Sequence, residues 1–168
     1  MDIWTHDDLQ RYLTAHSIPA EIIHLTQHTP TVPAAAEALG VPVEEIVKTV
    51  IFYVVDQPYA VLANGVRRVD RRKLAEHFGV NRKKIDLANG DQVIALTGYA
   101  PGTVPPFGHR QPINFLIEPG ILQHEFVYAG GGGIAELLKV RSSDLHTLTR
   151  ATPLSVLEDP AANETNGA

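Results

Sequence analysis

The sequence predicts a single α+β domain in which peripheral helices flank a mixed, mostly antiparallel and barrel-like β-sheet. Strand-like runs outnumber helical ones, and their short connections favour hairpins over the long crossovers of a parallel sheet. The length of 168 residues corresponds to one domain at roughly 150 residues each, and no repeat or linker divides it. At this size folding buries about 70% of the surface of the unfolded chain, enough for a core without staples. The domain is assigned to residues 1–158, and the polar stretch 159–168 is expected to be a disordered tail.

Each element has a local cause. Thr5-His-Asp-Asp8 reads as a capping box opening an amphipathic helix through about His16, with Leu9, Tyr12 and Leu13 on one face. Ala20 to Leu25 is strand-like, and Thr31 to Leu39 is a short helix stopped by Gly40. Val47 to Val55 and Tyr59 to Ala63 are β-rich runs joined through Asp56-Gln-Pro58, a hairpin signal. Asp70 to Phe78 is helical and closed by Gly79, and Asp91 to Leu96 forms another short helix. A Gly/Pro-rich loop then runs from Thr97 to Pro112, long enough to suggest a functional role. Ile113 to Ile117, Glu125 to Ala129 and Ile134 to Val140 are strand candidates, followed by a helix capped by Ser142 or Ser143.

Composition narrows the function classes. With 44% apolar and 20% charged residues and a mean hydropathy of -0.04, collagen-like, disordered and membrane-spanning classes fall away. Apolar runs such as Val50 to Val55 are far shorter than the ~20 residues a span needs. The N-terminus has no basic stretch leading into an apolar one, so a cytoplasmic protein without membrane association is expected. The absence of cysteine removes disulfides, thiolate metal sites and cysteine nucleophiles together.

The net charge of -5 taken alone disfavours nucleic acid, but its distribution says otherwise. From Arg67 to Lys84 eight basic residues face only Asp70 and Glu76, a net of +6 in 18 residues. The remaining 150 residues carry six basic and 17 acidic groups, a net of -11. Such a segment is either a solvated helix face or an edge that meets phosphates.

Nucleophilic and metal hydrolase templates fit badly. None of Ser17, Ser142, Ser143 and Ser155 sits in a G-x-S-x-G elbow. His24 and His28 are four apart, but in a strand and turn rather than on the helical face that would converge two imidazoles. No metal or cofactor is expected.

Lys48 is the one charge in the strand run Ile46 to Val55, on the same face as Val50, Phe52 and Val54. Either its ammonium enters a polar or anion-binding pocket, or it snorkels into water from the strand's first residue. Gly130-Gly-Gly-Gly133 is compatible with a tight hairpin turn and equally with backbone amides aimed at a ligand.

Taken in order, Gln27-His-Thr-Pro-Thr31, Glu44-Glu-Ile-Val-Lys-Thr49, Arg68-Val-Asp70, Leu96-Thr-Gly-Tyr99, Pro101-Gly-Thr-Val-Pro-Pro-Phe-Gly108 and Tyr128-Ala-Gly-Gly131 resemble the YbaK family. That family includes the editing domain inserted in bacterial prolyl-tRNA synthetases. The similarity spans roughly Ile22 to Leu148. It implies the editing-domain fold and a trans-acting deacylase that hydrolyses the ester joining a small, wrong amino acid to tRNA. A non-catalytic tRNA-binding or synthetase-associated module with the same fold is the alternative.

By resemblance, Lys48 matches the family's essential lysine near the terminal adenosine of the tRNA. Gly102 to Gly108 matches the loop framing the aminoacyl pocket, and Gly130 the glycine whose amide lies by the substrate carbonyl. His28, Gly98, Gly102, Phe107, Gly108, Gly130 and Gly131 are the expected substrate-binding residues. Arg67, Arg68, Arg71, Arg72 and Lys73 are expected to hold the aminoacylated acceptor end of tRNA, the principal partner, with a synthetase as a further one. Oligomeric state is left open. Pro105 and Tyr128 stand where relatives often carry serine, and both departures are expected to touch the pocket.

Overall fold

The computed structural model describes residues 2–160. It opens on helix α1 (His6–Ala15), whose N-cap Thr5 and Asp8 form the expected reciprocal capping box, with Leu9 and Leu13 buried. Strand β1 (Glu21–His24) leads to α2 (Val32–Leu39), capped by the Thr31 hydroxyl and ended by Gly40 at φ +70°. Strands β2 (Val47–Val54) and β3 (Gln57–Asn64) pair antiparallel over their full lengths. The hairpin turn is Val55-Asp56, both left-handed at φ +48° and +68°, so Pro58 falls inside β3 rather than in the connection.

Helix α3 (Arg71–Phe78) is capped by Asp70 and closed by Gly79, and a short strand β4 (Ile85–Leu87) follows it. Helix α4 (Gly90–Thr97) begins at Asn89, which forms a capping box with Gln92. Strands β5 (Asn114–Ile117), β6 (Phe126–Gly130) and β7 (Glu136–Arg141) come next, then α5 (Ser142–Thr149) and β8 (Thr152–Pro153).

Neither expected serine caps α5. The N-cap is Arg141, without a side-chain bond, and Ser142 is already helical. The cause is continuity with the sheet: the Ser142 N–H donates to Glu125 O at 2.9 Å and its hydroxyl donates to His124 O. Both groups thereby extend the β6–β7 pairing instead of serving the helix end.

The architecture is α+β, as expected, with its strands divided between two sheets that do not close into a barrel. One sheet is antiparallel in the order β1-β7-β6. The other runs β4-β2-β3-β5-β8, antiparallel through β4, β2 and β3 and parallel from β3 to β5 and β8. Among the described residues a single parallel bridge, between Ile46 and Tyr128, joins the sheets at a seam.

Strand β2 is covered on both faces. Val47 and Ile51 belong to the main core with Leu62, Ile117, Val127 and Leu138, while Phe52 and Val54 pack with Leu74 and Ala75 of α3. The alternation puts Lys48 on the α3 side and Thr49 on the main-core side. Among the described residues no helix is long and apolar enough to cross a membrane. Of the expected tail, Asp159 is held by Lys73 at 3.0 Å, and 161–168 lie outside the described residues.

Candidate active site

Two cavities meet at the start of β2, and Lys48 lines both. The first, about 250 Å³, lies at the seam between the sheets. Its walls are Thr29 to Val32 and Ala35 from the α2 entry, Ile46 to Thr49 from β2, Gly102 and Val104 from the long loop, and Ala129, Gly130 and Leu137 from β6 and β7. The second, about 590 Å³, opens on the α3 side among Lys48, Arg68, Arg71 and Arg82, with Asp70 and Glu158 as its acidic members.

Gly130 is at the seam because nothing larger fits. A Cβ there would lie 2.2 Å from Val104 O and 3.0 Å from Thr103 O, so the long loop rests directly on its backbone. Gly130 pairs with Leu137 in the antiparallel ladder. The Ser142-to-Glu125 bond sets the phase of that ladder and makes Gly130–Leu137 a non-hydrogen-bonded pair, so the Gly130 N–H faces away from β7. The loop is fixed in turn by Gly132 N–H donating to Thr103 O at 2.9 Å and by the Thr103 hydroxyl donating to Ala100 O at 2.8 Å.

The Lys48 ammonium donates to Arg67 O at 3.3 Å. Partial burial pushes its pKa below the ordinary lysine range, and the Arg68 guanidinium pushes it the same way. An anion arriving between Lys48 and Arg68 relieves both effects. Thr49, which sequence reasoning missed, has a buried hydroxyl oxygen without a hydrogen-bond partner among the described residues, and the residue lines the seam cavity. Its signal was legible: a polar side chain on the strand face that carries Val47 and Ile51. Arg82, a member of the basic run, lines the cationic cavity with Arg68 and Arg71.

The expected substrate-binding residues fall in four places. Gly102 and Gly130 line the seam cavity. Gly131 is buried behind it against the backbone of Glu136 and Leu137. Gly98, Phe107 and Gly108 support the loop from the α1 side: Gly98 packs beneath the Trp4 ring, and Gly108 and Phe107 pack against Tyr12. His28 is exposed, next to the cavity-lining Thr29. Pro105 and Tyr128 do not line the cavity; their neighbours Val104 and Ala129 do. The Tyr128 side chain packs with Ala35, Ala36 and Ile46 instead.

The basic residues also divide. Residues 156–159 cross the edge as a strap, with Asp70 N–H donating to Val156 O and Glu158 N–H to Arg68 O. Arg67 donates to Glu158 O at 3.1 Å, and the Lys73 ammonium donates to Leu157 O at 2.6 Å and pairs with Asp159. Arg72 is exposed, with Asp70 at 3.6 Å, and Arg71 lies over the Phe52 ring. Thus Arg68, Arg71 and Arg82 border the cavity with Lys48, while Arg67 and Lys73 also fasten the strap.

A two-sheet α+β fold thus carries a small cleft at the seam of its sheets beside a cationic one, with Lys48 in the wall of both. Comparison with known proteins identifies the domain. The chain belongs to the aminoacyl-tRNA editing domain family, whose model matches residues 26–148. This bears out the resemblance to the YbaK-type editing domain.

A proline–tRNA ligase of Staphylococcus aureus (strain Newman) is 38% identical over 81 residues, 48% of this chain but only 14% of the ligase. A solved structure described as a candidate trans-editing enzyme for prolyl tRNA synthetase superposes with a TM-score of 0.84 at 29% identity, covering 92% of this chain and 97% of the other. The hypothetical protein APE2540 superposes at 0.81 with 31% identity, over 90% and 99% of the two chains.

Proposed function

We propose that this protein is a trans-acting aminoacyl-tRNA deacylase that removes a small amino acid from mischarged tRNA. The observation that carries the reading is that Lys48 and Gly130, from different sheets, wall one cavity that adjoins the Arg68, Arg71 and Arg82 cluster. Family membership and the likeness to a candidate trans-editing enzyme support it.

An aminoacyl ester is already activated, so its hydrolysis requires water, position and a place for negative charge. The acceptor end of the tRNA enters through the cationic cavity, where Lys48 and the arginines meet its terminal phosphates and ribose. The aminoacyl group passes into the seam cavity, whose volume of about 250 Å³ and apolar Val32, Ala35, Val47, Val104 and Leu137 suit a short side chain. Water adds to the ester carbonyl, and the developing oxyanion lies beside the Gly130 N–H. Collapse of the tetrahedral intermediate expels the ribose hydroxyl, which takes up the proton lost by water, leaving free amino acid and uncharged tRNA. The Thr49 hydroxyl is available to orient the water or the substrate amine.

Two measurements test the reading. Over a panel of tRNAs carrying amino acids of increasing size, hydrolysis is expected for small acyl groups and to fall sharply for branched and aromatic ones. Equal rates across the panel would contradict the role of the seam cavity. Reversing Arg71 and Arg82 to glutamate is expected to weaken tRNA binding and lower the slope of log affinity against log salt by about one for each phosphate no longer neutralised. An unchanged slope would count against the cationic cavity as the acceptor-end site.

A further inference from the structure

The second half of the glycine run has no part in the deacylation chemistry, yet it is tightly packed. A Cβ on Gly132 would stand 2.9 Å from His6 Cα, and one on Gly133 would stand 2.7 Å from Glu136 Oε1. The loop is therefore folded closely over a cluster formed by His6, His24 and Glu136, whose donor atoms all lie within 4.8 Å of one another.

Three elements converge there. His24 and Glu136 are directly opposite one another in the β1–β7 ladder, so both side chains emerge on the same face. His6 is the first residue of α1, fixed by the Thr5 cap. Its Nδ1 is 2.9 Å from Glu136 Oε1, and its ring meets that of His24 edge-on at a centroid distance of 5.2 Å. Sequence spacing pairs His24 with His28, whereas the fold gives it His6 and Glu136 as neighbours.

We propose that His6, His24 and Glu136 form a binding site for a divalent transition-metal ion, with zinc the best match. Two imidazoles and one carboxylate are the ligand types such ions take, and three protein ligands leave a fourth position for water. Bonds of about 2.0–2.2 Å put tetrahedral donors roughly 3.3–3.6 Å apart, so donor atoms need to close by at most about 1.5 Å. With Nδ1 turned to the metal, Nε2 of His6 faces Asp7 Oδ1 at 3.6 Å, the outer carboxylate that commonly orients a metal-bound histidine. The ion takes the place of the direct His6–Glu136 contact and ties α1 to β1 and β7. The site is separate from the deacylation chemistry and stands whether or not that reading holds.

The test is calorimetric titration of the metal-stripped full chain with Zn²⁺, together with thermal unfolding in the presence and absence of the ion. One saturable site and a raised unfolding midpoint are expected. His24→Ala and Glu136→Gln are expected to weaken binding by at least about tenfold, and His24 is exposed at a strand end, so its variant keeps the fold by circular dichroism. Co²⁺ in place of Zn²⁺ is expected to give the intense visible absorption of a four- or five-coordinate site, lost in His24→Ala. Absence of a saturable site overturns the proposal. So does Zn²⁺ binding that both variants retain, which would assign the ion to other histidines.

Discussion

Lys48→Ala is expected to lower single-turnover deacylation by at least about 100-fold while leaving the fold intact. The magnitude is that of a lost positioning contact, since misplacing the reacting group by about 1 Å costs roughly 10² in rate. Among the described residues Lys48 is the one basic side chain that lines both cavities. Its ammonium is half-buried, and burial and Arg68 hold its pKa down, so an incoming phosphate or ribose oxygen finds a donor with few competing partners. The stability cost is small because among the described residues the ammonium has one long bond, to Arg67 O. A net hydrogen bond of that kind is worth about 1 kcal/mol. The check is a rate measurement at saturating enzyme with thermal unfolding of the same sample. Turnover equal to that of the unsubstituted chain would remove Lys48 from the account.

Gly130→Ala is expected to cost both stability and activity. The added methyl would meet Val104 O at 2.2 Å, Val104 C at 2.7 Å and Thr103 O at 3.0 Å, all backbone atoms that cannot rotate away. Either the 100–108 loop lifts or β6 shifts, at a cost of about 1–3 kcal/mol. Both responses deform the seam cavity and move the Gly130 N–H, so deacylation is expected to fall by more than the loss of folded protein explains. Gly40→Ala is the control. That glycine sits at φ +70° with open space around it, so the substitution carries conformational strain of about 1–2 kcal/mol and leaves the cavity alone. Equal activity per folded molecule in the two variants would contradict the role of Gly130.

Much of this was readable from the chain, because local physics fixed it. Thr5 and Asp8 define the start of α1, Thr31 and Gly40 bracket α2, and Asp70 and Gly79 bracket α3. The alternation through β2 assigned Lys48 its face correctly. What escaped was what depends on partners distant in sequence. Strands β4 and β8 are three and two residues long and exist only because β2 and β5 offer edges. The division into two sheets turns on one bridge, Ile46 to Tyr128, and no local pattern announces it.

The site followed the same rule. Lys48 and Gly130 were singled out from a charge in a strand and a glycine run, and the motif resemblance joined them. Sequence could not tell that Gly98 and Gly108 serve packing under Trp4 and Tyr12, since a glycine needed for close approach looks the same whatever approaches it. Nor could it tell that Arg67 and Lys73 fasten residues 157–159, which lie more than 80 positions away.

The most direct test of the central claim is the hydrolysis of tRNA mischarged with a small amino acid by the purified chain, without any synthetase, with tRNA binding measured in the same preparation. Release of the amino acid well above the spontaneous rate, lost in Lys48→Ala, is the expected result. Binding of the acceptor end with hydrolysis no faster than in buffer would contradict it and identify the chain as a tRNA-binding module instead.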